Sequence, residues 1–220
     1  MIVTFDLFSA LTDSRSGATA ALVATGRDAD EAGALYDAWD ARNKRLQADC
    51  TTWESFHDLS LQALGQTYAE RGVVGDAPGD LAALWASIGA WPLWPDVADG
   101  VAAVAGQARV GLLSNVDDFL VVRTRGHALV DPELALTSER LGAYKPGERI
   151  YRLAQQVAAD AGHELVHVAA SARDVRGALE AGVRTVRLAR PGHRVDPDGP
   201  VPEHEVEDAR DLPGVLASLS

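Results

Sequence analysis

Short apolar runs that end in small or polar residues recur along the chain and predict buried strands. The runs cover residues 1–5, 110–113, 165–170 and 183–188. Asp6, Ser114 and Ser171 directly follow the first three. Helical patterns follow the second and third runs. This order of strand, polar tip and helix is typical of a parallel sheet that carries its functional groups at the carboxyl ends of the strands.

Residues from about 17 to 90 carry a different pattern, with helical periods and no convincing strand. One helical face of the segment 30–47 holds residues at spacings of four, three and four, namely Leu35, Trp39, Arg42 and Leu46. Thr51 and Glu54 have capping-box spacing and predict the start of a second helix. Residues 80–88 predict a short third helix.

The chain is therefore predicted to have an α/β fold, a Rossmann-like parallel sheet core with an inserted helical cap. Two prolines in the segment 91–95 interrupt the helical pattern and mark the return to the sheet. We assign residues 1–14 and 93–220 to the core and residues 15–92 to the cap. The segment 190–203 is rich in Pro, Gly and charge and predicts a surface loop.

Composition and charge narrow the possible functions. The chain has 220 residues, of which 47% are apolar and 24% charged, enough for a core and a smaller lid. A net charge of −12 disfavours nucleic acid as a partner, but it leaves room for a small anionic substrate near local cations. A single cysteine, Cys50, excludes an internal disulfide and a Cys-based zinc site.

Targeting and cofactor signals are weak. The start, MIVTFDLF, lacks the features of a signal peptide, and no apolar run approaches the roughly 20 residues that span a bilayer. We therefore expect a cytoplasmic protein without a membrane partner, and a homodimer stays an open alternative. The six histidines lack metal-ligand spacing, and no nucleotide-binding glycine motif is present.

The predicted strand tips carry groups that could act together. Asp6 ends the first strand, Ser114 and Asn115 end the second, Lys145 precedes a predicted helix, and Asp174 lies in the helix after the third strand. Alone, Asp6 would be interpreted as a turn or capping aspartate. Because the tips of parallel strands converge on one crevice, a carboxylate nucleophile, a hydroxyl, an ammonium and a second carboxylate are expected to meet there.

These residues resemble the four ordered motifs of the haloacid dehalogenase (HAD) superfamily. They are Asp6 in FDLFSALTD, Ser114 in LLSN, Lys145 in LGAYKPGERIY and Asp174 in DVRGALEAG. The order, the spacing and the helical insert extend the resemblance over nearly the whole chain. The resemblance implies a Rossmann-like core with a helical cap, and hydrolysis through an aspartyl ester intermediate on Asp6.

The motifs favour the 2-haloacid dehalogenase branch over the phosphatases. HAD phosphatases carry a second Asp two positions after the nucleophile, where this chain has Phe8, and an extra acid in the fourth motif, where residues 167–171 have none. Asp6 and Asp174 alone would be a thin Mg²⁺ site. A halide leaves without a general acid, so the resemblance implies carbon–halide hydrolysis without a metal cofactor.

The resemblance also implies catalytic roles. Asp6 attacks the carbon that carries the halogen, and Lys145 keeps Asp6 ionised beside an anionic substrate. Asp174, with Ser171, orients the water that hydrolyses the ester. Ser114 and Asn115 bind the substrate carboxylate.

Three further residues are predicted to bind substrate. Phe8 would wall an apolar pocket, Tyr151 lies six residues after Lys145 as in the dehalogenases, and Arg42 is the candidate cap arginine. The resemblance places that arginine directly after a tryptophan, where this chain has Asp40. Other departures are Ala10 in place of a threonine, and Ala169 and Ser171 in place of a serine and an asparagine.

Several alternatives stay open at this point. Lys145 could be a surface lysine, Ser171 and Asp174 a capping box, and Tyr151 or Arg42 packing residues. His167 is interpreted as a core residue with satisfied hydrogen bonds. At the level of function, the rivals are a Mg²⁺-dependent phosphatase of the same fold and a non-catalytic HAD-like binding protein.

Overall fold

Six parallel strands form the sheet in residues 1–219, the part of the chain that the computed structural model describes. They are β1 (Ile2–Phe5), β2 (Arg109–Ser114), β3 (Ala135–Thr137), β4 (Leu165–Ala169), β5 (Arg184–Leu188) and β6 (His204–Val206). Their spatial order is β3-β2-β1-β4-β5-β6. The predicted α/β class is confirmed, and the four predicted strands form. The three-residue strands β3 and β6 were not predicted.

Four of the five α-helices between β1 and β2 fall in the segment assigned to the cap, apart from the first residue of the first helix. They are α1 (Ser14–Ala24), α2 (Ala29–Asp49), α3 (Phe56–Arg71) and α4 (Ala77–Ser87). The predicted helix start at Thr51 is wrong. The Ser55 hydroxyl instead caps α3 by accepting a hydrogen bond from Asp58 N at 3.0 Å. Ser55 and Asp58 repeat the capping-box spacing four residues later and are used in place of Thr51 and Glu54.

Six more helices accompany the sheet in the described part of the chain. They are α5 (Val97–Ala105), α6 (Asp118–Val121), α7 (Ser138–Leu141), α8 (Glu148–Asp160), α9 (Ala172–Glu180) and α10 (Leu212–Ser218). The buried residues of α8 recur at helical spacing, so this helix presents one apolar face to the sheet; they are Ile150, Tyr151, Ala154 and Ala158. None of the helices in residues 1–219 combines the length and the apolar character of a membrane span.

The alternation of β1 explains why the core has two apolar clusters. Val3 and Phe5 belong to a large cluster that continues into the helices between β1 and β2, whereas Ile2 packs in a smaller cluster with Ile150 of α8. Successive side chains of a strand point to opposite faces, so β1 supplies both layers. Because β1 lies between β2 and β4, the tips of these three strands adjoin.

The helices between β1 and β2 are fastened to the sheet beside those tips. Asp117, just after β2, accepts hydrogen bonds from Phe56 N and His57 N, both at 2.8 Å, and so caps the start of α3. The Tyr144 hydroxyl donates to Glu54 O at 2.9 Å, and the Tyr144 ring stacks on Trp53 with centroids 5.0 Å apart. A cavity lies between the helices and the strand tips.

Candidate active site

Asp6 lies at the floor of this cavity, directly after β1. Its side chain is only slightly accessible, with the residue 7% exposed. One oxygen, Oδ1, accepts a hydrogen bond from Lys145 Nζ at 2.8 Å. The other, Oδ2, accepts from Ser9 N at 3.0 Å and from the Ser9 hydroxyl. A π-helical turn over Leu7–Leu11 brings Ser9 back to Asp6, so the turn fixes the orientation of the carboxylate.

Lys145 joins the two carboxylates of the site. Besides Asp6, its ammonium donates to Asp174 Oδ2 at 2.5 Å and to Leu113 O at 2.7 Å, which accounts for its three protons. The residue is 4% exposed, so the alternative of a surface lysine is wrong. Burial by itself lowers the pKa of Lys145, but Asp174 and Asp6 outweigh burial and raise the pKa above its ordinary value. Lys145 is therefore a permanent cation between two anions.

Asp174 is held by more donors than the sequence predicted. Its Oδ1 accepts from the Tyr151 hydroxyl at 2.7 Å, and His167 Nε2 lies 3.2 Å from both of its oxygens. Burial alone would raise the pKa of Asp174, but Lys145 and His167 together lower it below the ordinary value. Asp174 is thus an anion at neutral pH, and His167 belongs to the polar network of the site.

Ser114 and Asn115 end β2 beside this network but differ in how they are used. The Ser114 hydroxyl is buried and has no hydrogen-bond partner among the residues described. The Asn115 side chain is fully engaged: Nδ2 donates to Lys145 O at 2.9 Å and to Gln47 Oε1 at 2.8 Å, and Oδ1 accepts from Lys145 N at 2.8 Å. Asn115 therefore positions the Lys145 backbone, while Ser114 is available to a ligand.

Two predicted substrate contacts lie elsewhere. Tyr151 is fully buried, and its hydroxyl donates to Asp174 behind the cavity. Burial first, and Asp174 second, raise the pKa of Tyr151 well above its ordinary value, so its hydroxyl keeps its proton and donates. Arg42 also lies outside the cavity lining, where it donates to Gln66 Oε1 at 3.0 Å and pairs with Glu70. Both are corrected to positioning or packing roles.

The face of α2 that reaches the cavity explains the error at Arg42. Its buried stripe runs through Trp39, Asn43 and Gln47 at spacings of four, and these three residues line the cavity. This stripe includes two polar side chains, which an apolar-face criterion passes over. The stripe turns Arg42 toward α3.

The cavity has a volume of about 630 Å³ and divides into polar and aromatic parts. Its polar floor is formed by Asp6, Ser114, Lys145 and Asp174. Phe8 lines it as predicted and stacks on Phe56 with centroids 6.1 Å apart. The aromatic residues that line the cavity are Phe8, Tyr36, Trp39, Phe56, Trp85, Trp91 and Trp94.

Ser171 lines the cavity without capping α9 through its side chain, so the capping-box alternative is wrong for its hydroxyl. Its backbone carbonyl accepts from Asp174 N at 3.1 Å instead. Further lining residues that sequence reasoning missed include Ser9, Lys44, Arg173 and His193. None of these four was among the residues from which the site was predicted. His193 lies in the predicted surface loop 190–203, so part of that loop contributes to the site.

The donor set does not fit a Mg²⁺ ion shared by Asp6 and Asp174. The Lys145 ammonium lies between the two carboxylates, and the remaining oxygen of Asp174 accepts from Tyr151 and contacts His167. Within residues 1–219, no group of three His, Cys, Asp or Glu side chains is arranged to hold a metal ion. In the described part of the chain, no third acid accompanies this pair to complete the oxygen shell that Mg²⁺ favours.

Residues 1–182 match the family described as haloacid dehalogenase-like hydrolase. The chain belongs to this hydrolase family. The superfamily resemblance inferred from the four motifs is therefore confirmed.

Individual relatives are dehalogenases. The chain is 28% identical to (S)-2-haloacid dehalogenase 4A of Burkholderia cepacia over 97% of its own length and 93% of that protein. Its fold matches the L-2-haloacid dehalogenase of Xanthobacter autotrophicus with a TM-score of 0.83 at 20% identity, over 100% and 99% of the two chains. A 2-haloacid dehalogenase of Pseudomonas syringae matches with a TM-score of 0.67 at 25% identity, over 100% and 99%.

Proposed function

We propose that this hydrolase cleaves the carbon–halogen bond of a 2-haloacid without a metal ion. The observation that carries the proposal is the set of groups around Asp6 in the described residues. Phe8 occupies the position of the phosphatases' general acid, and Lys145 rather than a third acid accompanies Asp6 and Asp174. The similarity to (S)-2-haloacid dehalogenase 4A and to dehalogenase structures supports the same substrate class. Phe8 supplies no acid, and halide needs none to leave.

In the first step, Asp6 acts as the nucleophile. A carboxylate oxygen of Asp6 forms a bond to the substrate C2 while the carbon–halogen bond breaks, and the halide leaves with the bonding electrons. Lys145 offsets the repulsion between Asp6 and the substrate anion. Ser9 donates to Asp6 Oδ2 and Lys145 donates to Asp6 Oδ1. These hydrogen bonds fix the orientation of the carboxylate, and a lone pair that they leave free attacks the substrate carbon.

In the second step, water attacks the carbonyl carbon of the Asp6 ester. The bond between that carbon and the substrate oxygen breaks, one water proton goes to the leaving alkoxide, and the other is released as the carboxylate is restored. Because Lys145 and His167 lower the pKa of Asp174, we assign Asp174 to orienting Lys145 and the water as an anion. Ser171, whose hydroxyl is not used in the helix cap, is the second group that orients this water.

The test is a halide-release assay on both enantiomers of short and long 2-haloacids in the presence of EDTA, beside a phosphate-ester panel with Mg²⁺. We expect halide release that EDTA leaves unchanged. Mg²⁺-dependent phosphate release without halide release would instead identify a phosphatase. Binding of 2-haloacids with neither activity would identify a non-catalytic binding protein.

A further inference from the structure

Four Lys or Arg side chains line the cavity, and one of them lacks a carboxylate partner. The four are Arg15, Lys44, Lys145 and Arg173. Arg15 pairs with Asp37 at 2.9 Å, Lys44 pairs with Asp40 at 2.6 Å, and Lys145 pairs with both carboxylates of the site. Within residues 1–219, no carboxylate lies within ion-pair distance of Arg173. Among the Lys and Arg residues described in the lining, Arg173 is therefore the one whose positive charge a substrate anion could neutralise.

Arg173 is also held in place by bonds that leave most of its donors unused. It lies in the first turn of α9, with Nη1 donating to Lys44 O at 3.0 Å and Nη2 donating to Lys145 O at 2.8 Å. Both acceptors are neutral carbonyls, and a guanidinium has five N–H donors. Burial lowers the pKa of Arg173 below its ordinary value despite the nearby Asp174. A partly buried cation of this kind gains most from a charged acceptor.

The position of Arg173 places this charge beside the tip of β2. Lys145 O accepts from Arg173 Nη2 and also from Asn115 Nδ2, so the guanidinium and the Asn115 amide are neighbours across one oxygen. Ser114, the residue before Asn115, has the buried hydroxyl without a partner. A substrate carboxylate near this tip could accept hydrogen bonds from the charged Arg173 guanidinium and from the neutral Ser114 hydroxyl.

We propose that Arg173 binds the carboxylate of the substrate. The assignment rests on the proposed function, because it takes the substrate to be a 2-haloacid anion. It gives Arg173 a substrate-binding role of the kind that the resemblance assigned to a cap arginine, since Arg42 packs against α3 and Asp40 neutralises Lys44. In this chain the anion is held from the core helix α9.

The test uses ligands without halogen, so it does not depend on turnover. Calorimetry gives Kd for 3-phenylpropanoate and for its neutral amide with the wild-type chain, Arg173→Gln, Arg173→Lys and the control Arg176→Gln. Arg176 is on the same helix, but its side chain is 40% exposed and pairs with Glu180 and Asp196. We expect Arg173→Gln to weaken binding of the acid at least tenfold and of the amide less than twofold, with Arg173→Lys in between and the control unchanged.

Equal losses for the acid and the amide would show that Arg173 only fastens α2 to the core, and would overturn the proposal. So would a wild-type chain that binds the amide as tightly as the acid. If Arg173→Gln fails to fold, the acid-to-amide ratio of the wild-type chain and of Arg173→Lys still decides. Failure of halide release with intact acid selectivity would count against the proposed reaction alone.

A separate observation concerns the size and chemistry of the aromatic part of the cavity. All four indole N–H groups that line it donate to partners within the protein: Trp39 to Ser60 O, Trp85 to His57 Nδ1, Trp91 to Ser87 Oγ and Trp94 to Ser9 O. The tryptophans therefore present carbon surface to the cavity. A six-atom haloacid occupies on the order of 150 Å³ if each heavy atom takes a little less volume than a water molecule, against about 630 Å³ here.

We infer that the substrate carries an aryl or long alkyl group on C2, which packs against this aromatic wall. With the same calorimetric measurement, straight-chain carboxylates of three to eight carbons should bind progressively more tightly, by about fourfold per methylene if each is fully buried. Phe8→Ala should weaken 3-phenylpropanoate more than propanoate. The control Phe119→Ala, which changes an exposed ring outside the cavity, should leave both unchanged. Flat or falling affinity along the series would overturn the inference.

Discussion

At the scale of single residues, the site is organised around one buried cation. Lys145 donates to Asp6, Asp174 and the Leu113 carbonyl, so each of its protons fixes a different part of the site. Asp174 has further donors in Tyr151 and the adjacent His167, whereas Asp6 faces the cavity and, among residues 1–219, has Ser9 as its one other donor residue. This asymmetry suits Asp6 to chemistry and Asp174 to support.

Asp6→Asn tests the nucleophile. An amide keeps the shape of the side chain but is a far poorer nucleophile, so we expect kcat for halide release to fall at least about a thousandfold, roughly 4 kcal/mol of barrier. The control Asp160→Asn, at the exposed end of α8, should be unchanged. In a single turnover in heavy-oxygen water, the label should enter Asp6 and not the product. Label found only in the product would mean that water attacks the substrate directly.

Tyr151→Phe tests whether Tyr151 positions Asp174 or binds the substrate. The variant removes the hydroxyl that donates to Asp174 at 2.7 Å, and we expect a loss of about 1–3 kcal/mol in the free energy of unfolding. Because Tyr151 lies behind the cavity, kcat should fall while KM stays within about twofold. Urea unfolding and steady-state kinetics measure these effects. A large rise in KM with unchanged stability would return Tyr151 to the substrate-binding residues.

At the scale of elements, strand tips were easier to predict than helix faces. The tips after β1, β2 and β4 were located because each follows an apolar run, and parallel strands bring their ends together. The cavity-facing stripe of α2 was missed because Asn43 and Gln47 are polar and buried. Arg173 was missed because its importance depends on having no carboxylate partner among the described residues, which only three-dimensional contacts reveal.

Asp117 connects two elements, the end of β2 and the start of α3. It is a core residue that accepts from Phe56 N and His57 N, so its carboxylate caps a helix on the other side of the cavity. We expect Asp117→Ala to lower the free energy of unfolding by about 1–2 kcal/mol, a typical effect of losing a cap. Ser55→Ala removes the local cap of the same helix and serves for comparison.

Hydrogen exchange would distinguish the two caps of α3. Asp117→Ala should increase exchange at the first turn of α3 and also at Tyr144 and Glu54, where the same helix region contacts the core. Ser55→Ala should affect the first turn alone. Identical exchange patterns in the two variants would mean that Asp117 stabilises the helix without fastening it to the sheet.

At the scale of the whole molecule, the buried charges couple the site to the pH dependence of folding. The lowered pKa of Asp174 stabilises the fold above about pH 4, and this contribution is lost as the pH falls through the folded-state pKa. The raised pKa of Lys145 stabilises the fold below about pH 10, and this contribution is lost as the pH rises through its folded-state pKa. Both contributions stabilise the fold between about pH 4 and about pH 10.

Lys145→Met should reverse the acid side of this dependence. Without the ammonium, Asp6 and Asp174 are two buried carboxylates with no counterion between them, and breaking such a pairing costs about 3–5 kcal/mol at pH 7. Repulsion then raises the pKa of at least one carboxyl group above the unfolded value, so the variant should gain stability as the pH falls from 7 toward 5, where the wild-type chain does not. Urea unfolding at several pH values measures both the loss of stability and its pH dependence.

Lys145→Met combined with Asp174→Asn should recover most of the loss at pH 7, because one of the two charges is gone. The control Lys44→Met breaks a pair whose side chains are 40% and 32% exposed, so it should cost less than about 1 kcal/mol and keep the wild-type dependence. A Lys145→Met variant that loses stability equally at every pH would mean that lost packing, and not uncompensated charge, is what the lysine prevents.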